Sequence, residues 1–134
     1  YYQVPLLRRG AAYARHSQGK GACWLYRFDA PSPALKGQLG ASHGLEVPYL
    51  FGTLDHPSVQ RFAGTDAARW ALSETFQRQW LGFSSGEGPS WNAWSEAAQE
   101  SGYFTLAGVT PAPSDQDLNA LWTPNLELPP HAEP

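Results

Sequence analysis

One segment of the sequence, residues 22–28, most constrains the fold. It reads ACWLYRF and is followed by DAPSP. The two prolines of DAPSP prevent the chain from continuing as a strand or as a helix. A strand without polar alternation is typical of a mostly parallel sheet, in which both faces are covered. The chain offers only one further convincing strand, at residues 103–106, and an isolated pair of strands is marginal in water. We therefore expect a piece of an α/β sheet protein whose other strands come from elsewhere, so that the strand over 22–28 would have two unpaired edges within this chain.

Helical patterns precede and follow this strand in the sequence. A helix is expected over residues 5–18, and a short helix should follow the start signature at residues 55–58 and end at Gly64. The clearest helix is expected over residues 66–83, because apolar side chains recur in it at intervals of four, four and three. These side chains share one face, which must be buried against a further layer: Leu72, Phe76, Trp80 and Phe83. A last short helix is expected over residues 115–122.

The remaining segments carry weaker signals. Residues 34–44 are glycine-rich and without period, so they are expected to form a loop, where functional residues concentrate. The apolar segment over residues 45–54 contains Pro48 and has no clear form. We expect residues 1–122 to form a portion of one domain and residues 123–134 to form a proline-rich tail.

Charge and composition exclude several classes of partner. The net charge is −3 with no basic run, which argues against nucleic acid or an anionic membrane surface. The longest stretch without Asp, Glu, Lys or Arg, residues 101–114, contains two prolines and is too short for a spanning helix. The single cysteine, Cys23, excludes an intramolecular disulfide and a cysteine-based metal cluster but leaves the compartment open. Because the chain has no methionine and starts at Tyr1, we expect a fragment or a processed chain.

Two motifs near the predicted strand carry a resemblance to a known family. The first is YRFDAPSP at residues 26–33, and the second is LGASHGLEVPYLFG at residues 39–52. Together they resemble the C-terminal part of type B carboxylesterases, the group that includes para-nitrobenzyl esterases and cholinesterases. The resemblance continues through LSETFQRQWLGF at residues 72–83, and then through Gly88, Pro89, Trp91, Leu121 and Trp122.

The resemblance implies the C-terminal segment of an α/β-hydrolase fold, a mostly parallel sheet flanked by helices. Most of that sheet would belong to an N-terminal portion outside this sequence. In the family, the histidine that matches His43 is the general base of a Ser-Glu-His triad, which activates the serine and later protonates the leaving group. This implies hydrolysis of a small-molecule ester through an acyl-enzyme, with the serine, the acid and the oxyanion hole on the N-terminal portion. No cofactor and no metal are implied, and we expect the chain alone to be inactive.

Glu46 lies three residues after His43 and has two interpretations. We expect a buried acceptor that orients the His43 loop, and the alternative is a solvent-facing carboxylate. Glu46 does not match the triad acid, which in the family precedes the strand and would lie upstream of Tyr1. The other histidines lack such a motif and are expected to be surface or packed imidazoles without a catalytic role: His16, His56 and His131.

Two serines match the Gly-x-Ser-x-Gly pattern of a nucleophile elbow, Ser42 and Ser84. An elbow needs a strand before the serine and a helix after it, and in α/β-hydrolases the serine precedes the histidine. Ser84 follows a predicted helix, and Ser42 adjoins the histidine that it would have to face. We therefore expect neither serine to be the nucleophile. Two other classes of function stay open, a noncatalytic cholinesterase-like interaction module and a free-standing aromatic-rich binding domain.

Overall fold

The computed structural model describes residues 3–17 and 19–114. The predictions for a helix over residues 115–122, for a tail over residues 123–134 and for His131 lie outside the described residues. In chain order, the elements are α1 (Gln3–His16), β1 (Leu25–Phe28), a 3₁₀ turn (Ala34–Gly37), α2 (Val47–Leu50), α3 (Gln60–Ala63), α4 (Ala67–Ser85), β2 (Glu100–Thr105) and β3 (Gly108–Pro113).

The three strands form one sheet in the order β1-β2-β3. β1 runs parallel to β2, with Leu25 opposite Ser101, and the long connection between them contains α4. β2 and β3 form an antiparallel hairpin. The prediction of two unpaired edges for β1 is wrong, because β2 pairs with one of them. The other edge has no partner strand among residues 3–17 and 19–114.

β3 is a strand that the sequence pattern did not predict. Its residues include Pro111 and Pro113, which remove backbone donors and argue against a central strand. The structure places β3 at one edge of the sheet formed by the described residues, where a proline is tolerated because no further strand among them pairs with β3. The expectation of at most two strands is corrected for this reason.

The hydrophobic core lies between the sheet and α4 and includes buried residues of the segment 45–63. The Phe76 ring of α4 lies 4.7 Å from the Phe104 ring of β2, with an interplanar angle of 75°. Leu72 and Phe76 are buried as predicted, but Trp80 is 38% exposed and Phe83 is 49% exposed. The three strands described are too few to cover the whole length of α4, so the prediction that all four side chains are buried is only half right.

The bounds of the elements differ from the predictions at several ends. α1 begins two residues earlier than predicted and ends at His16, and β1 begins at Leu25 rather than at residue 22. α3 is followed by Gly64 at φ 79°, which confirms the predicted end of that helix. α4 starts after Asp66, whose side chain accepts a hydrogen bond from the Arg69 backbone N–H.

Candidate active site

His43 lies on an exposed turn between the 3₁₀ turn and α2. The glycines near it, Gly40 and Gly44, have φ values of 61° and 81°, a left-handed conformation that glycine adopts without a steric penalty. The turn is closed by backbone hydrogen bonds from Leu45 to Ser42, 3.2 Å, and from Val47 to Gly44, 3.3 Å. The chain therefore bends sharply on both sides of the imidazole and leaves it accessible.

A groove of about 690 Å³ opens beside the His43 turn. Its walls combine side chains of α1, β1 and β2 with the turn itself, including Leu7, Leu25, Tyr103, His43 and Glu46. The structure thus brings His43 and Glu46 to one largely apolar groove that borders β1. A groove of this volume is in the range of sites that hold small organic molecules, about 300–1,000 Å³.

Glu46 is half-buried at the start of α2, rather than buried as expected. Burial raises the pKa of the Tyr26 hydroxyl, and the nearby negative charge of Glu46 raises it further. Tyr26 also lines the groove, so the site contains a neutral phenol, a carboxylate and an imidazole. Such a set can accept, hold and donate protons.

Neither serine of the two Gly-x-Ser-x-Gly matches has the geometry of a nucleophile elbow. Ser84 lies inside α4, and its hydroxyl donates to the Leu81 carbonyl at 2.9 Å. Ser42 lies in the loop between the 3₁₀ turn and α2, with no strand leading into it. The Ser42 Oγ is buried, and it has no hydrogen-bond partner within the described part of the chain.

A charged pair at the end of β1 was not predicted from the sequence. The Arg27 guanidinium donates from Nε and Nη2 to the Asp29 carboxylate, with distances of 2.7 Å to Oδ1 and 2.7 Å to Oδ2. The same guanidinium lies over the Tyr103 ring, 4.9 Å from its centroid. The sequence feature that could have indicated this pair is the single arginine within an otherwise apolar strand. Arg27 also lines the groove, so its paired guanidinium is a charged group in an otherwise largely apolar wall.

The other histidines lie away from the groove. His16 is exposed at the end of α1, and His56 is exposed with its Nδ1 2.7 Å from the Ser58 hydroxyl. Over the described ranges, no group of three or more His, Cys, Asp or Glu side chains could hold a metal ion. None of the helices described has the length and apolar character needed to cross a membrane.

Comparison with known proteins finds esterases both by sequence and by structure. No family model matches the chain. The para-nitrobenzyl esterase of Bacillus subtilis (strain 168) is 35% identical over 101 residues, which are 69% of this chain and 20% of that protein. Two solved structures share the fold. A thermophilic PNB esterase superimposes with a TM-score of 0.70 at 25% identity, over 87% of this chain and 24% of its own. The Geobacillus stearothermophilus carboxylesterase EST55 at pH 6.2 gives a TM-score of 0.61 at 25% identity, over 76% of this chain and 22% of its own.

The described residues therefore form a segment of an α/β-hydrolase fold, as expected. The resemblance to the C-terminal part of type B carboxylesterases is confirmed, since the chain is similar in sequence and in structure to para-nitrobenzyl esterases. The chain spans about a fifth of the length of the curated relative that it matches.

Proposed function

We propose that this chain is the C-terminal segment of a serine carboxylesterase and that His43 is its catalytic base. The nucleophilic serine, the triad acid and the oxyanion hole belong to an N-terminal portion of the same enzyme. The substrate is a small-molecule carboxylic ester. The position of His43 is the observation that carries the proposal, because an accessible imidazole on a glycine-flanked turn lines a groove large enough for such a substrate.

In the proposed reaction His43 takes up and then releases one proton in each of two half-reactions. The imidazole accepts the proton of the serine hydroxyl as the serine oxygen bonds to the ester carbonyl carbon. When the bond to the alcohol oxygen breaks, the imidazolium donates that proton to the leaving alkoxide. Water then attacks the carbonyl carbon of the acyl-enzyme, and His43 takes the proton of the water. The imidazolium returns this proton to the serine oxygen as its bond to the acyl carbon breaks, so that the carboxylic acid leaves and the serine is restored.

Glu46 is proposed to orient the His43 turn without taking part in bond making. Two observations support this role. Glu46 lies three residues from His43, at the start of α2, and it is half-buried along the same groove. A carboxylate held in that place can accept hydrogen bonds from groups of the turn and limit its movement.

The test is His43→Gln in the full-length enzyme that contains this chain. We expect kcat for p-nitrophenyl acetate to fall by about four powers of ten, because the members of a triad act as a unit. Circular dichroism should show an unchanged fold, since the His43 side chain is exposed and is not part of the core.

His56→Gln is the matched control, because His56 is an exposed histidine outside the groove. Its activity should stay within about twofold of the unmodified enzyme. If His43→Gln keeps more than about a tenth of the activity, His43 is not the base. In that case another group acts as the base. The noncatalytic interaction module and the aromatic-rich binding domain become the leading interpretations if the unmodified full-length protein itself hydrolyses no ester.

A further inference from the structure

The segment that carries His43, residues 30–49, is fixed at both ends to α3 and to the residues beside it. At the first end, the Ser32 hydroxyl donates to the Phe62 carbonyl at 2.6 Å. The Arg69 Nη2 donates to the Pro31 carbonyl at 2.8 Å. Ser32 is 1% exposed and Arg69 is 7% exposed, so the donor residue of each bond is buried.

The second end of the segment is fixed through Tyr49. The Tyr49 hydroxyl donates to the Ala63 carbonyl at 2.7 Å, and the Arg69 Nε donates to the same carbonyl at 2.8 Å. The Ala63 carbonyl at the end of α3 therefore accepts from Tyr49 directly and from Arg69, which in turn donates to the Pro31 carbonyl at the first end of the segment. Burial raises the pKa of Tyr49, so its hydroxyl keeps its proton and remains a donor.

α2 cannot supply this rigidity by itself. It has four residues, and a helix of that length is unstable without tertiary contacts. The Tyr49 carbonyl on α2 accepts hydrogen bonds from the Ser73 hydroxyl, 2.6 Å, and from the Gln77 Nε2, 3.3 Å. α2, with the His43 turn directly before it, is thus attached to α4 as well as to α3.

We propose that Tyr49 and Arg69 are positioning residues for His43. The inference rests on the proposed function. A general base must lie within hydrogen-bond distance of the proton that it takes, about 2.6–3.2 Å, and a displacement of about 1 Å can cost a hundredfold in rate. Neither residue reacts. Tyr49 bonds to the Ala63 carbonyl, and Arg69 bonds to both that carbonyl and the Pro31 carbonyl. Together they fix the two ends of residues 30–49 and keep the imidazole where the serine and the leaving group need it.

The test uses Tyr49→Phe in the full-length enzyme, with ethyl acetate and p-nitrophenyl acetate as substrates. Both esters give the same acetyl-enzyme, but only ethoxide needs a proton from His43 in order to leave. A displaced imidazole should therefore slow the acylation step more for ethyl acetate. We expect the ratio of kcat/KM for ethyl acetate to kcat/KM for p-nitrophenyl acetate to fall by about tenfold. A lower fraction of folded enzyme would reduce both values equally and leave the ratio unchanged.

Ser84→Ala is the matched control, because that hydroxyl donates within α4, to the Leu81 carbonyl, and not to the His43 segment. Its substrate ratio should equal that of the unmodified enzyme. Ser32→Ala removes one of the two bonds at the other end of the segment, so it should also lower the substrate ratio. If Tyr49→Phe does not fold, the ratio of Ser32→Ala is the test instead. An unchanged ratio in the folded variant overturns the positioning role. The proposed function fails separately, if His43→Gln itself remains active.

Discussion

At Gly102 the indole ring of Trp91 packs directly on the backbone of β2. A Cβ atom at this position would lie 2.7 Å from Cδ2 of the Trp91 ring. Trp91 is 7% exposed, and its ring meets the Phe104 ring edge to face with centroids 5.7 Å apart. The absence of a side chain at residue 102 is therefore what allows Trp91 into the core.

Gly102→Ala should destabilise the protein through this contact. We expect the free energy of unfolding to fall by about 1–3 kcal/mol, the range for adding a methyl group to a packed core. Urea denaturation of the full-length enzyme measures it. Gly10→Ala is the control, because the nearest atom is a Leu25 methyl at 3.2 Å and alanine is favoured inside a helix. Equal losses in the two variants would contradict the packing argument.

Among the helices, α4 is capped by Asp66, which also pairs with Arg69, the residue bonded to the His43 segment at Pro31. Asp66 accepts from the Arg69 backbone N–H at 3.2 Å and from the Arg69 Nη1 at 2.8 Å. The same carboxylate thus starts the helix and pairs with a buried guanidinium. Loss of the carboxylate would leave the buried charge of Arg69 with one acceptor fewer, which is costly.

Asp66→Ala should lower the free energy of unfolding by about 1–3 kcal/mol, the sum of a lost helix cap and a weakened buried pair. Guanidinium denaturation of the full-length enzyme provides the measurement. Asp55→Ala is the control, because it removes an exposed carboxylate from a turn and should change the stability by less than about 0.5 kcal/mol. A loss no larger in Asp66→Ala than in Asp55→Ala would show that the cap is unimportant.

For the whole molecule, the incomplete sheet decides the expected stability. One edge of β1 has no partner strand within residues 3–17 and 19–114, and that strand borders the large groove. Trp80 and Phe83 are partly exposed on α4. Burying a large apolar side chain stabilises a protein by about 1.5–3 kcal/mol, against a total stability of about 5–15 kcal/mol.

We therefore expect residues 1–134 by themselves to lack a cooperative thermal transition and to bind a hydrophobic dye. They should also show no hydrolysis of p-nitrophenyl acetate above background, because the proposed nucleophile lies on another portion of the enzyme. Calorimetry, dye fluorescence and an esterase assay on the purified chain test this. A soluble monomer with a sharp transition would contradict the stability argument and favour a free-standing binding domain.

The sequence by itself was enough to predict elements whose signals are local. The apolar run of β1, the helical period of α4 and the stop at Gly64 all depend on residues close together in the chain. His43 was singled out in the same way, from a contiguous motif that resembles a family. Residue type and spacing contain this information because caps, turns and helical faces form between near neighbours.

Only the tertiary structure decided which of these residues meet. β3 contains two prolines and is a strand because β2 pairs with it, and the burial of Phe76 but not of Phe83 depends on where the sheet lies under α4. The attachment of the His43 segment joins Tyr49 to Ala63, 14 residues away, and Arg69 to Pro31, 38 residues away. No local period encodes such pairs, because their hydrogen bonds form only when packing has brought distant backbone carbonyls and buried donors together.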